Sequence, residues 1–397
     1  MNDQIPVKHI MGEVFNQIAD AIENGKFDRK IKIGLTTLGC EVGIDQWIGA
    51  AEDLTMSSDE FEVVLIGHRL STKLVQFEIQ SEDEMHRKME TMLDYGMIDA
   101  CITTHYTYPI GVASVGKMTS PGNGRDYFLA TTSGTAHLST SVAMVKNAMF
   151  GIIVAKTMGV QHPRVGILNV AGARQTEKAL VRLNDNGYPI HFAQSMRDES
   201  GCIMRGNDVI AGSTDVLVQD SLTGNILMKM GATFMTAGNY EAMGAGYGPG
   251  IGENYDRLAL VISRASGYSV VQHALTYAVQ LVKGGLRQVA RRELQLAHGA
   301  GLKIILDEMI QDDAKQAKSR VESVGVPLGE PVSGGISGID IMEIEDAMKR
   351  VWMAGIYAES GMGCTGPVLL VNEKRLEKAM AILRKEGYLV YEEMECV

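Results

Sequence analysis

The chain has 397 residues, 45% of them hydrophobic, and a formal net charge of −11. Two or three domains with a sizeable core fit within that length, and the acidic balance argues against nucleic acid and anionic membrane as partners. The most apolar long stretch, 142–160, is interrupted by Lys146, Asn147 and Lys156, which is too polar for a membrane span.

In chain order, short apolar runs alternate with longer amphipathic segments. Strands are predicted at 32–35 and 62–67, a helix over 83–95, and strands at 100–103 and 127–130. A helix follows over 141–158, then strands at 164–170, 215–218 and 257–262. This alternation predicts a mostly parallel α/β sheet with helices on both faces, in which ligands bind beyond the carboxyl ends of the strands. Near residue 285 the texture changes. Residues 286–310 and 311–323 read as helices, 325–338 as a loop rich in Gly, Pro and Ser, and 342–357 as a helix. A strand at 368–371, a helix over 373–386 and a last strand at 388–391 complete the pattern. The expected division is a first α/β domain over 1–285 and a smaller appended α/β segment over 286–397.

The residue types also bear on setting. Cysteines stand at 40, 101, 202, 364 and 396, with no zinc-knuckle or CxxC spacing. The nine histidines form no metal-binding spacing, so no metal is expected. The opening residues show no charged-then-apolar signal, which with free thiols predicts a cytoplasmic protein. The 24 methionines fit an anaerobic or well-reduced setting.

Several segments are candidates for chemistry. His105 follows a predicted strand, where an ordinary hydrogen-bonded histidine is the favoured reading and a place lining a site the alternative. Residues 111–117 have the GxxxxGK skeleton of a nucleotide loop, but Met118 stands where a magnesium-binding hydroxyl is required, and that reading is set aside. Ser133 and Thr135, in Thr131-Thr132-Ser133-Gly134-Thr135-Ala136-His137, read as the approach to a helix N-terminus suited to an anion. Helix capping is the competing reading. The strand at 215–218 runs into Asp220-Ser221-Leu222-Thr223-Gly224-Asn225, with Lys229 one turn on. Hydroxyls, a glycine and a lysine can hold a phosphoryl or carboxylate oxygen, and a structural turn is the alternative. Five glycines alternate over 244–252, which predicts a mobile loop beside the site. Ser263-Arg264 follows a strand and offers a planar cationic fork for phosphate, with a surface ion pair as the alternative. Finally, Gly361-Met362-Gly363-Cys364-Thr365-Gly366-Pro367 sets a single thiol among three glycines before an apolar run. A nucleophile on a rigid turn and a tight turn with an incidental thiol both fit.

Together these residues resemble a known family. The segment 163–169, ending at Asn169, with 215–220, Thr223-Gly224-Asn225 and Ser263-Arg264, resembles the phosphate acyltransferase and phosphate acetyltransferase superfamily. The stretch 357–368, and the chain as a whole, resemble alpha subunits of component C of glycine/sarcosine/betaine reductase. The resemblance implies an isocitrate dehydrogenase-like fold and an acetyltransferase within a hetero-oligomeric reductase complex. It implies that Cys364 takes an acetyl group from carboxymethylated selenoprotein A as a thioester, which phosphate cleaves to acetyl phosphate. It also implies a ketoacyl synthase III-like beta subunit as partner and inorganic phosphate as substrate, with no cofactor. Ser263 and Arg264 then hold phosphate, supported by Ser221, Thr223, Gly224, Asn225 and Lys229, while Ser133, Thr135, His105 and Asn169 line the site. The superfamily's phosphate acetyltransferases use an aspartate shortly after the Ser-Arg pair. The matching stretch here, 267–271, has no acid, which leaves the general base unassigned. The rival readings are a phosphate acyltransferase using carrier or coenzyme A thioesters, and a non-catalytic scaffold subunit.

Overall fold

A computed structural model describes Gly12 and residues 29–196, 201–236, 244–319, 325–363 and 366–389. The architecture is the expected α/β one, built on a 12-stranded sheet. Its first parallel block has the order β3 (Val75–Glu78), β2 (Phe61–Gly67), β1 (Ile31–Thr36), β4 (Ala100–Thr103), β12 (Ala259–Val261). The second has β6 (Asp126–Thr135), β10 (Val216–Val218) and β7 (Arg164–Leu168), with the short β8 (His191–Phe192) and β9 (Ile203–Met204) both paired to β7. Between the blocks stand β11 (Gly248–Ile251) and β5 (Val112–Thr119). The pairs β12–β11, β11–β5 and β5–β6 are all antiparallel. Three successive reversals leave the two parallel blocks running in opposite directions, so their carboxyl ends face opposite ends of the sheet.

Helices cover the sheet for reasons written in their sequences. Helix α1 (Ile44–Ser57) buries Trp47, whose indole N–H donates to Ser266 O at 2.7 Å. Helix α2 (Glu82–Asp94) starts at Ser81, whose hydroxyl accepts from Glu84 N, and has three acids in its first turn, the sign that suits a helix N-terminus. Its Met85, Met89, Met92 and Leu93 face the core. Helix α3 (Thr140–Thr157) is buried on nearly every side, as a helix apolar all round must be. Helices α4 (Ala173–Asp185), the short α5 (Gly206–Ala211), α6 (Ser221–Thr236) and α7 (Tyr268–Lys283) complete the cover.

The cores do not divide at residue 285. Helices α8 (Leu286–Gly299) and α9 (Leu302–Ser319) place Leu286, Leu294, Ala297, Leu302, Ile305 and Leu306 in the same apolar cluster as α3 and the large sheet. The stretch 286–310 is split at Ala300-Gly301, where Gly301 has φ 89°. A separate core begins only at β13 (Gly334–Ile336), in the stretch expected to be loop. There β13, β15 (Gly366–Val371) and β14 (Ala358–Gly363) form an antiparallel three-stranded sheet covered by α10 (Ile344–Met353) and α11 (Leu376–Lys385). Tyr388 and Leu389 are not in a strand, and the rest of that predicted strand lies outside the described residues.

The glycine-rich stretch at 244–252 corrects an expectation. Instead of a mobile loop, Gly248–Ile251 is a fully buried strand in the middle of the sheet. Glycine is needed there because the neighbours leave no room. A Cβ on Gly248 would lie 1.9 Å from Val115 O, and one on Gly250 2.3 Å from the Tyr108 ring. The GxxxxGK skeleton is likewise strand, since Val112–Thr119 is β5. Gly248→Ala is expected to destabilise the protein by at least about 2 kcal/mol, through overpacking and a side chain at φ 82°. Urea unfolding of the full chain measures this.

Candidate functional site

At the carboxyl end of the first block, three loops converge. Thr36 and Thr103 end β1 and β4 and share a hydrogen bond of 3.0 Å between hydroxyls. Thr104 donates to Leu38 O at 3.3 Å, and His86 Nε2 lies 3.0 Å from Thr104 O. His105 is exposed and has a left-handed backbone, φ 52°. Past β12, the Ser263 hydroxyl accepts from Ala265 N at 3.2 Å. Arg264 O accepts from Glu41 N at 2.9 Å, which ties this turn to the loop after β1. The Arg264 guanidinium donates from Nη2 to both oxygens of Glu82, at 2.9 and 2.8 Å, while among the described residues its Nε is buried without a partner. Gly39, at φ 82°, leaves space for this pair.

At the carboxyl end of the second block, a β-bulge organises the candidates. The β5–β6 register pairs Ser114 with Ser133 and Val115 with Ala130, so Thr131 and Thr132 fall out of the ladder. Their carbonyls accept from Gln219 Nε2 at 2.9 Å and Asn225 Nδ2 at 3.3 Å. A Cβ on Gly224 would lie 1.7 Å from Thr131 O, so only glycine lets α6 come this close. Thr132 donates to Tyr247 O at 2.6 Å, and the Lys229 ammonium sits 5.8 Å from the centre of the Tyr247 ring. Thr223 donates to Asp220 from both N, at 2.9 Å, and its hydroxyl. The carboxylate of Asp220 therefore occupies the α6 N-terminus, and Ser221 is the first helical residue.

The structure thus brings Thr223, Gly224, Asn225 and Lys229 together with the bulge, and sets Ser263 and Arg264 on the other block with Glu82. Among the described residues, no hydrogen bond or ion pair links Arg264 to the 223–225 turn. Ser133 and Thr135 belong to strand β6 itself and not to a helix start; the cap of α3 is Ser139, which accepts from Val142 N. Asn169 follows β7, is exposed, and donates its N–H to Met204 O at 2.9 Å. Cys364, with Thr365, lies outside the described residues. The strands on either side of it are paired, with Gly361 opposite Val368 and Gly363 opposite Gly366.

Of the cysteines, Cys40, Cys101 and Cys202 are described and none is disulfide-bonded. Burial pushes all three thiols upward, and for Cys202 the neighbouring Glu177 adds to it. Each is a poor thiolate and hence a poor nucleophile. Among the described residues no group of three His, Cys, Asp or Glu side chains is arranged to hold a metal ion. No helix among them is long and apolar enough to cross a membrane.

Sequence reasoning missed two acids. Glu82 stands just before the helix expected over 83–95 and was not marked as a site residue. Asp340 had no signal at all, yet it joins the small C-terminal unit to the first. Its Oδ1 accepts from Gly172 N at 3.3 Å and Met342 N at 2.8 Å, and its Oδ2 from Arg174 N at 3.1 Å. Lys178 adds a bond to Gly387 O at 2.5 Å and lies 3.9 Å from Glu343.

The family model described as Fatty acid synthesis protein matches residues 31–370. Over 381 residues the chain is 49% identical to the glycine/sarcosine/betaine reductase complex component C subunit alpha of Peptoclostridium acidaminophilum, covering 96% of this chain and 98% of that protein. Over 153 residues it is 29% identical to the phosphate acyltransferase of Bacillus cytotoxicus, which is 34% of this chain and 43% of that enzyme. The crystal structure of a branched-chain phosphotransacylase from Enterococcus faecalis V583 superposes with a TM-score of 0.47 and 18% identity, over 64% of this chain and 99% of that one. The family model and the sequence relatives put the chain in the phosphate acyltransferase superfamily. Within it, the chain belongs to the family of component C alpha subunits.

Burial raises the Glu343 carboxyl above the ordinary carboxylate range; Lys178 opposes this, and Asp340 and Asp346 reinforce it. A carboxyl raised on folding binds its proton more tightly folded than unfolded, so stability is greatest below the unfolded value of about 4.3. That stability falls as pH rises from there through the folded value. Glu343→Gln removes the fall. Melting temperatures from pH 4 to 8 are expected to show the variant gaining on wild type as pH increases, then running parallel to it.

Proposed function

We propose that the chain is the acetyl-transferring subunit of a component C. The observation that carries this is the 49% identity over nearly the whole length of a component C alpha subunit. In this reading Cys364 ends as an acetyl thioester: the Se–C bond of carboxymethylated selenoprotein A breaks, a second thiol supplies the two electrons by forming a selenenyl sulfide with the selenium, and the carboxyl group loses one oxygen as water when the Cys364 sulfur bonds to its carbon. A phosphate oxygen then attacks the carbonyl carbon, the C–S bond breaks, the thiolate leaves, and acetyl phosphate is released. The step needs phosphate held in line and charge stabilised on the carbonyl oxygen. Ser263 and Arg264 are assigned to phosphate, with Arg264 as the fixed cation. Phosphate is already anionic, so the missing acid after the Ser-Arg pair is no obstacle. A ketoacyl synthase III-like beta subunit completes the component.

Two features support this assignment. The described cysteines are all buried or raised thiols, unsuited to carrying an acyl group. The strands flanking Cys364 are rich in glycine and rest on a compact core of their own, which gives a nucleophile a rigid support.

The partial matches to phosphate acyltransferases favour a second reading, acyl transfer to phosphate from a carrier or coenzyme A thioester without a cysteine intermediate. One experiment separates the two. Incubating the full chain and its partner subunit with radiolabelled acetyl phosphate is expected to leave hydroxylamine-sensitive label on the Cys364 peptide. Cys364→Ser is expected to lose the label and to cut acetyl phosphate formation at least about a thousandfold. Label absent from that peptide, with coenzyme A-dependent transfer intact in Cys364→Ala, establishes the second reading instead.

A further inference from the structure

The Arg264–Glu82 contact is an incomplete ion pair. A guanidinium and a carboxylate that match fully use two nitrogens against two oxygens, in parallel. Here Nη2 alone serves both oxygens of Glu82, and among the described residues Nε is buried with no partner. Gly39 faces both groups: a Cβ there would lie 3.1 Å from Glu82 Oε1 and 3.2 Å from Arg264 Nε, so its absence leaves space beside the pair. The Nε edge goes unused, and Glu82 meets only Nη2.

Glu82 is also easily moved. It is the first residue of α2, its side chain is 40% exposed against 27% for Arg264, and Asp83 and Glu84 stay in the same turn when it leaves. The helix end keeps its complement of negative charge without Glu82. Arg264, in contrast, is pinned through its own carbonyl to Glu41 N. One partner is fixed and under-satisfied, and the other is loosely held.

We propose that Glu82 is an exchangeable counter-ion, which neutralises Arg264 in the phosphate-free protein and competes with inorganic phosphate for it. The inference rests on the reading of Arg264 as the phosphate-holding cation and adds a residue that sets how tightly phosphate is held. When phosphate arrives, the guanidinium trades a one-nitrogen contact for tetrahedral oxygens that take more of its donors, and Glu82 turns to solvent. A competitor of this kind lowers apparent affinity by the fraction of molecules in which it holds the site.

The test is calorimetric titration of the full chain with inorganic phosphate at low ionic strength. Glu82→Gln is expected to tighten phosphate by about two- to fivefold, the size appropriate to a partly exposed pair, with the gain shrinking as salt is added. Arg264→Gln is expected to weaken phosphate at least about tenfold, as loss of a charge-assisted contact requires. In the Arg264→Gln background, Glu82→Gln is expected to add nothing. If Glu82→Gln lowers the melting temperature, Glu82→Ala repeats the comparison and is expected to show the same tightening. Unchanged phosphate binding in Arg264→Gln overturns the phosphate assignment itself. Weakened binding in Arg264→Gln together with unchanged or weaker binding in both Glu82 variants leaves that assignment standing and overturns the counter-ion inference.

Discussion

Two backbone carbonyls that leave a strand ladder have to be satisfied somewhere, and in this protein that need organises the second half of the sheet. The bulge in β6 frees Thr131 O and Thr132 O from pairing with β5. Buried carbonyls without partners cost free energy comparable to a lost hydrogen bond. Gln219 and Asn225 answer them, and Gly224 lets α6 approach to within contact. The start of α6, the end of β10 and the loop carrying Tyr247 are all fixed by this one irregularity. Bulges are common beside functional sites because they re-aim side chains. Here the same residues that resemble a phosphate-holding turn also hold the bulge closed, so structural and functional demands fall on one set of atoms.

The fold was legible where hydrophobic periodicity was strong. The strands expected at 62–67, 164–170 and 215–218 and the helices expected over 83–95 and 141–158 are present, within two residues at each end, as Phe61–Gly67, Arg164–Leu168, Val216–Val218, Glu82–Asp94 and Thr140–Thr157. The reading failed where packing overrode composition. Two glycines and a proline in Gly248-Pro249-Gly250-Ile251 disfavour a strand, yet the segment pairs with β12 and β5, and at positions 248 and 250 Val115 O and the Tyr108 ring leave room only for glycine. Helices α8 and α9 look like the start of a new domain because their charged faces differ from what precedes them. Their apolar faces belong to the first core, and no local pattern says which core an apolar face joins.

The candidate site was legible by residue type more than by arrangement. Arg264 was marked by its place at a strand end. Its partner Glu82 lies 182 residues earlier, in an acidic run that reads equally well as ordinary helix-start chemistry. Asp340 shows the same limit. It caps the N-terminal N–H groups of α4 from 166 residues away in the chain, and an isolated aspartate in a Gly-Ile-Ser-rich loop gives no hint of that. Long-range polar contacts of this kind are set by topology, which the strand order determines and the local sequence does not.

The placement of β12 has a consequence for how the protein is made. It completes the first block beside β4, although more than 150 residues separate them, and Ser266 just beyond it holds the Trp47 indole. The first α/β block therefore cannot close while the ribosome is still delivering the second. Its strands β1, β2 and β4 emerge early and wait with an unpaired edge until residue 261 is out. Such a waiting edge invites pairing with other chains, and closure over so long a loop is slow. The unit carrying the glycine-flanked cysteine follows, and among the described residues its apolar core holds none from before Ile336. A nascent chain would thus finish its sheet before its proposed nucleophile segment is assembled.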